Sequence, residues 1–219
     1  MTEENIIQPH YLGHRERLRK KLLECSNNTF ADYELLELLL MIAIPRRDVK
    51  PLAKELLQKF STFAGVINAP QSELLKIKGI GETTIAMFKI IRFSMTKTLK
   101  DKVEERSVIS NWKELIDYCQ LNIGNKPTEE FHVLYLDTKC RLIKDEIHSS
   151  GTINTSSVYP REIIKRVLEI GASSIIIVHN HPTGDPTPSN ADMNITNKIK
   201  EGLKMIDVPL FCSLCSYLH

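Results

Sequence analysis

Apolar positions fall three and four apart through the first half of the chain and two apart, or in unbroken runs, in the second. In the first half, GHRERLRKKLLEC (13–25) is strongly basic with apolar residues at helical spacing. Asp32 is placed to cap a helix through YELLELLLMIAI that stops near Pro45, and Asp48 to open VKPLAKELLQKF with Pro51 in its first turn. Ser72 precedes ELLKI, and Thr83 and Thr84 open TTIAMFKIIRFSM. No segment here alternates as a strand would, so this half is expected to be all helical. The charged, apolar-poor run KTLKDKVEERS reads as a solvated helix end or linker and sets the expected boundary between residues 100 and 107.

Beyond it the pattern changes. Asn111 is placed to cap an amphipathic helix WKELIDYCQLNI, ended by Gly124. FHVLYLD and CRLIKDEIH read as paired strands around an Asp137-Thr138-Lys139 turn, followed by a polar connection over 151–157. PREIIKRVLEIG is a helix with Pro160 in its first turn and Gly171 at its end. SSIIIVHNH is a β-branched strand expected to be buried on both faces. A loop with three prolines leads to a long helix, NADMNITNKIKEGLKMI, and VPLF begins another strand.

Composition removes several classes of function. A formal charge of +2 over 219 residues is too small for nucleic-acid binding by bulk charge. The longest apolar run, LLELLLMIAI, is too short to span a bilayer, so no membrane is expected. MTEENIIQPH lacks a basic start followed by an apolar run, so a cytoplasmic protein is expected, with the 5 cysteines as free thiols.

Chemistry concentrates at the end of the β-branched strand. His179 and His181 stand two apart, so strand alternation sends both imidazoles to one side. Asp192, in the first turn of the next helix, is within reach as a third ligand, leaving a tetrahedral Zn²⁺ one position for water. Each feature alone has a plainer meaning: a histidine satisfying a strand end, or a capping box in Ser189-Asn190-Ala191-Asp192. Asp185 is a competing carboxylate in the loop. Together, HNHPTGDPTPSNAD has the His-x-His, seven residues, Ser, two residues, Asp spacing of the JAMM (MPN-plus) signature.

The surrounding text, YPREIIKRVLEIGASSIIIVHNHPTGDPTPSNADMNIT, resembles the RadC family of JAMM-domain proteins, and the resemblance covers nearly the whole chain. It implies an α+β protein: an all-α N-terminal helix-hairpin-helix domain over 1–103, then an α/β MPN (JAMM) domain over 107–219 with a mixed sheet flanked by helices. It also implies a zinc metallopeptidase-like hydrolase of peptide or isopeptide bonds with a peptide or protein substrate. JAMM enzymes use an upstream glutamate as general base. The Glu-x-Phe pattern favours Glu129; period two puts Glu130 on the other face, and Glu146 and Glu162 are weaker alternatives. Ser189 carries over as a donor to the developing oxyanion.

Two further features support different readings. KIKGIGETTIAMFK resembles a helix-hairpin-helix hairpin, with Gly79 and Gly81 permitting a tight turn whose amides face a phosphate, and with Lys78, Lys89 and Arg92 nearby. It points to DNA held through backbone phosphates, and to an accessory protein of DNA repair or recombination. The tail VPLFCSLCSYLH departs from the family pattern, which continues through Asp-His into an apolar run, and reads as truncated. Such an end would expose a sheet edge and is compatible with an inactive remnant. Cys212, Cys215 and His219 resemble metal ligands only superficially.

Overall fold

A computed structural model describes residues 13–24, 30–124, 126, 128–151, 158–182 and 187–215, for 212–215 the backbone only. The chain forms two compact units, Met1–Arg92 and Phe93–His219.

The first unit is helical: α1 (His14–Glu24), α2 (Asp32–Ala43), α3 (Lys50–Phe60), α4 (Phe63–Asn68), the single turn α5 (Gln71–Leu74), and the start of α6 (Glu82–Glu105). Residues at helical spacing form one core, among them Leu36 and Leu40 from α2, Ala53 and Leu56 from α3, and Ile85 and Phe88 from α6. Arg15 donates to the carbonyls of Met41 (3.0 Å) and Ile44 (2.8 Å), which α2 leaves without helical partners at its C-terminus. Asp32 does not cap α2. The cap position is Ala31, and the Asp32 carboxylate accepts instead from the amide of Phe63 at 3.1 Å, fastening the start of α4. The segment expected as a hairpin consists of α5, a turn in which Gly79 has φ +104°, and α6, which begins at Glu82 rather than at the threonines. The charged run 97–107 forms the C-terminal end of α6 as far as Glu105, with Val103 buried.

The second unit is a mixed four-stranded sheet between helices. Its elements are α7 (Trp112–Cys119), β1 (Glu129–Leu136), β2 (Leu142–Gly151), α8 (Pro160–Ile170), β3 (Ser174–His179), α9 (Asn190–Lys204) and β4 (Leu210–Cys215), in strand order β2-β1-β3-β4. β1 is antiparallel to both neighbours, and β3 pairs parallel with β4 across α9. Asp137 makes the β1–β2 turn, its Oδ1 accepting from the amides of Lys139 and Arg141, each at 2.8 Å. Gly171, at φ +70°, ends α8 in the left-handed conformation expected of it.

Two departures from the sequence reading are confined to α7 and its end. Asn111 occupies the cap position of α7, but its side chain donates to the Ser107 carbonyl (3.3 Å) and caps nothing. The helix expected to run to Ile123 changes at Gln120 into a π-helical turn that ends at Gly124.

Strand alternation divides the core. Leu134, Leu136, Ile176 and Val178 pack with Leu115, Tyr118 and Ile123 on the α7 side. Phe131, Val133, Tyr135, Ile175 and Ile177 pack against Ile163 and Val167 of α8 and Ile199 and Leu203 of α9. β3 is buried along its whole length, as its β-branched run predicts. The odd-numbered face of β1 and β3 is therefore also the face on which Glu129 and His179 lie.

Candidate metal centre

His179 ends β3, His181 follows it by two residues, and α9 brings its first turn to them. Asp192 Oδ2 lies 3.5 Å from His179 Nε2 and 3.4 Å from His181 Nε2. Among the described residues these three form a group whose ligand atoms all lie within 4.8 Å of one another. A tetrahedral zinc site with bonds of about 2.0–2.1 Å has ligand atoms about 3.4 Å apart. The carboxylate–imidazole distances match that edge and are too long for good hydrogen bonds.

His179 supplies an independent sign. It is 1% exposed, yet among the described residues neither ring nitrogen has a hydrogen-bond partner. Buried polar atoms left without partners are costly and rare. A cation between His179 and Asp192 would satisfy Nε2. Burial, opposed by the Asp192 charge, lowers the His179 pKa, which keeps the imidazole neutral with its lone pair available. The donor set, two imidazoles and a carboxylate, suits a divalent metal.

Ser189 holds the carboxylate. Its amide (2.8 Å) and hydroxyl (2.7 Å) both donate to Asp192 Oδ2, and the Asp192 amide donates back to Ser189 Oγ at 3.2 Å. This is the capping box anticipated from the sequence, turned toward the cluster. Burial opposes ionisation of Asp192, but the Ser189 hydrogen bonds and the two histidines outweigh it and hold the carboxyl below its ordinary range.

A pocket of about 370 Å³ opens beside the cluster, lined by Glu129, Phe131, Val158, His181, Asp192 and Ile195 among others. Phe131 stacks on His179, ring centroids 6.2 Å apart. Burial, reinforced by the Asp192 charge and opposed by His181, raises the Glu129 pKa. Glu130 points the other way. Its carboxylate accepts from Lys126 Nζ (3.2 Å) and contacts His132 Nε2 (2.9 Å). Glu146 is bound by Arg166 at 2.6 Å, which brings its pKa down to about 2, and Glu162 pairs with Arg161. Neither lines the pocket. Asp185 and His219, and the side chains of Cys212 and Cys215, lie outside what is described.

In the first unit, Lys78 and Gly81 are exposed beside the α6 N-terminus, and Lys89 donates to Gln71 Oε1 at 2.9 Å. Gly79 needs its glycine for φ +104°. A Cβ on Gly81 would meet nothing within 4 Å, so neither space nor a positive φ requires glycine there.

The sequence reading missed a buried polar network on the α7 face. His132 Nδ1 contacts Asp145 at 2.7 Å, and Asp145 Oδ2 accepts from Tyr118 (2.6 Å) and Asn122 (3.0 Å). It also missed Asn180, fully buried between the two histidines. The available signal was alternation: residues 130, 132 and 180 are polar positions on a face otherwise filled by apolar side chains.

Comparison with known proteins adds family context. Residues 109–214 match the RadC-like JAB domain, and residues 10–86 match the UPF0758 N-terminal region. A UPF0758 protein of Ruegeria pomeroyi is 45% identical over 203 residues, covering 92% of this chain and 91% of that protein.

The His132 network yields a stability test. Burial disfavours its charge, but hydrogen bonds and charges from Asp145 and Glu130 outweigh this and raise its pKa. The stabilisation is therefore complete below the ordinary imidazole value of about 6.5 and is lost as pH rises through the raised folded value. Urea unfolding at a series of pH values should show His132→Gln costing most at low pH and progressively less above neutrality. A cost that grows with pH would contradict the pairing.

Proposed function

Since the chain belongs to the UPF0758 family and carries a RadC-like JAB domain, we propose that its second unit is a zinc-dependent hydrolase of peptide or isopeptide bonds. The observation that carries the reading is the convergence of His179, His181 and Asp192 on one point, with His181 and Asp192 sharing a pocket with Glu129. Bound there, zinc supplies positive charge and acidifies a water nucleophile. His179 and His181 offer imidazole nitrogens, and the Ser189 amide fixes the Asp192 oxygen that faces them. The Glu129 carboxylate takes the proton of the attacking water and delivers it to the departing nitrogen, a role suited to a carboxyl whose pKa is raised toward neutrality. The Ser189 hydroxyl, turned from Asp192, is the donor to the developing oxyanion. The apolar part of the pocket, with Phe131, Val158 and Ile195, excludes water and receives the substrate chain beside the scissile amide.

A second activity resides in the first unit: association with DNA through backbone phosphates. It is favoured by the exposure of Lys78 and Gly81 at the N-terminus of α6, where backbone amides and the helix dipole attract an anion. Such contacts hold nucleic acid without reading sequence.

Metal analysis of the purified chain should find about one zinc per chain, and Asp192→Ala should remove most of it, since two histidines make a poor site. Glu129→Gln should keep the zinc while lowering kcat/KM by about 10²–10⁴ on a substrate drawn from a peptide and isopeptide library. Zinc retained in full by Asp192→Ala, or full activity in Glu129→Gln, would sink the assignment. For the DNA reading, affinity for a random duplex should fall about tenfold or more between about 50 and 200 mM salt. Lys78→Glu and Gly81→Val should weaken it without altering the fold. Binding indifferent to salt and to both changes would exclude the hairpin.

A further inference from the structure

The β1–β3 ladder ends two residues short of Glu129, the residue that the proposed reaction needs to be held. Its register runs from Leu136 opposite Ser174 to Phe131 opposite His179. Glu130 and Glu129 lie beyond it. They pair with Ser150 and Gly151 of β2 but have no ladder partner on β3.

Asn180 takes over where the backbone pairing stops. Alternation sends its side chain to the face opposite the two histidines. Its Oδ1 accepts from the Glu130 amide at 2.8 Å. Its Nδ2 donates to the Thr128 carbonyl at 3.1 Å and to the Lys126 carbonyl at 3.3 Å. The side chain is 0% exposed. The peptide groups on both sides of Glu129, the Thr128 carbonyl and the Glu130 amide, therefore end on one amide group. The residue carrying that amide is the one between the candidate metal ligands.

Asparagine is suited to the task. A single planar fork offers an acceptor and two donors, the complement of one N–H and two carbonyls. Aspartate would keep the acceptor but turn a buried carboxylate against two carbonyl oxygens. Alanine would leave three backbone groups without these partners. On the far face, Glu130 is tied to His132 and Lys126, so the residue after Glu129 is anchored through both its backbone and its side chain.

We propose that Asn180 is a positioning residue: it extends the β1–β3 pairing by one side chain and thereby fixes Glu129 relative to His179 and His181. Its catalytic meaning rests on the hydrolase reading above; the clamp itself does not.

The test uses the full zinc-loaded chain and compares wild type, Asn180→Ala, Glu129→Gln and the double variant. Hydrogen exchange by NMR should show slow exchange of the Asn180 side-chain amide protons in the wild type. In Asn180→Ala, the Glu130 amide should exchange about tenfold faster or more, while amides in the middle of β1 keep their protection. Zinc content should stay unchanged. With a substrate in hand, Asn180→Ala should lower kcat with KM little altered, and the double variant should be no slower than Glu129→Gln alone, because both changes remove one function. Fast exchange of the Asn180 side chain in the wild type overturns the clamp even where Asn180→Ala fails to fold. So does an unaltered Glu130 amide or loss of zinc in Asn180→Ala, and additive losses in the double variant overturn the positioning role. A wild type that hydrolyses nothing counts against the hydrolase reading, while the exchange and zinc results still decide the clamp.

Discussion

The register between β1 and β3 is the constraint on which the second unit depends. With Phe131 opposite His179, every odd-numbered residue of both strands faces α8 and α9, and every even-numbered one faces α7. A slip of one residue on either strand would exchange the two sets. Ile175, Ile177 and Val133 would leave their core, and Glu129 would leave the pocket or His179 its place beside Asp192. The burial that stabilises the sheet and the alignment of the candidate site are thus enforced by the same pairing.

The two faces carry different polar work. On the α8 and α9 side, His179 and His181 meet Asp192, whose oxygen is held by Ser189 at the start of α9. Here a buried imidazole lacks hydrogen-bond partners among the described residues, which favours a cation as the missing one. On the α7 side, His132 lies between Glu130 and Asp145, and Tyr118 and Asn122 complete the carboxylate's bonding. That network is internally matched and needs no ligand. Similar residue types serve opposite ends because one set is satisfied by its neighbours and the other is not.

Much of this was legible in the sequence because it rests on local periodicity. The β-branched run 175–178 predicts a strand buried on both faces, and His-x-His at its end predicts two imidazoles on one side. The spacing to Ser189 and Asp192 fits both a helix capping box and the JAMM signature. What was not legible depends on partners distant in the chain. Asp32 and Asn111 are good capping residues by type, yet Phe63 and Ser107 engage their side chains instead. Asn180 reads as a spacer between histidines until the fold brings Lys126, Thr128 and Glu130 to it. The end of WKELIDYCQLNI as a π-helical turn has no counterpart in its apolar spacing.

In the proposed site, His179, His181 and Asp192 hold a zinc ion with a position left for water. X-ray absorption at the zinc edge of the loaded chain tests it most directly. The spectrum should show four light scatterers at about 2.0–2.1 Å, with the outer-shell pattern of two imidazoles. A sulfur shell at about 2.3 Å would move the metal to the cysteines, and a spectrum without imidazole scattering would remove it from this site altogether.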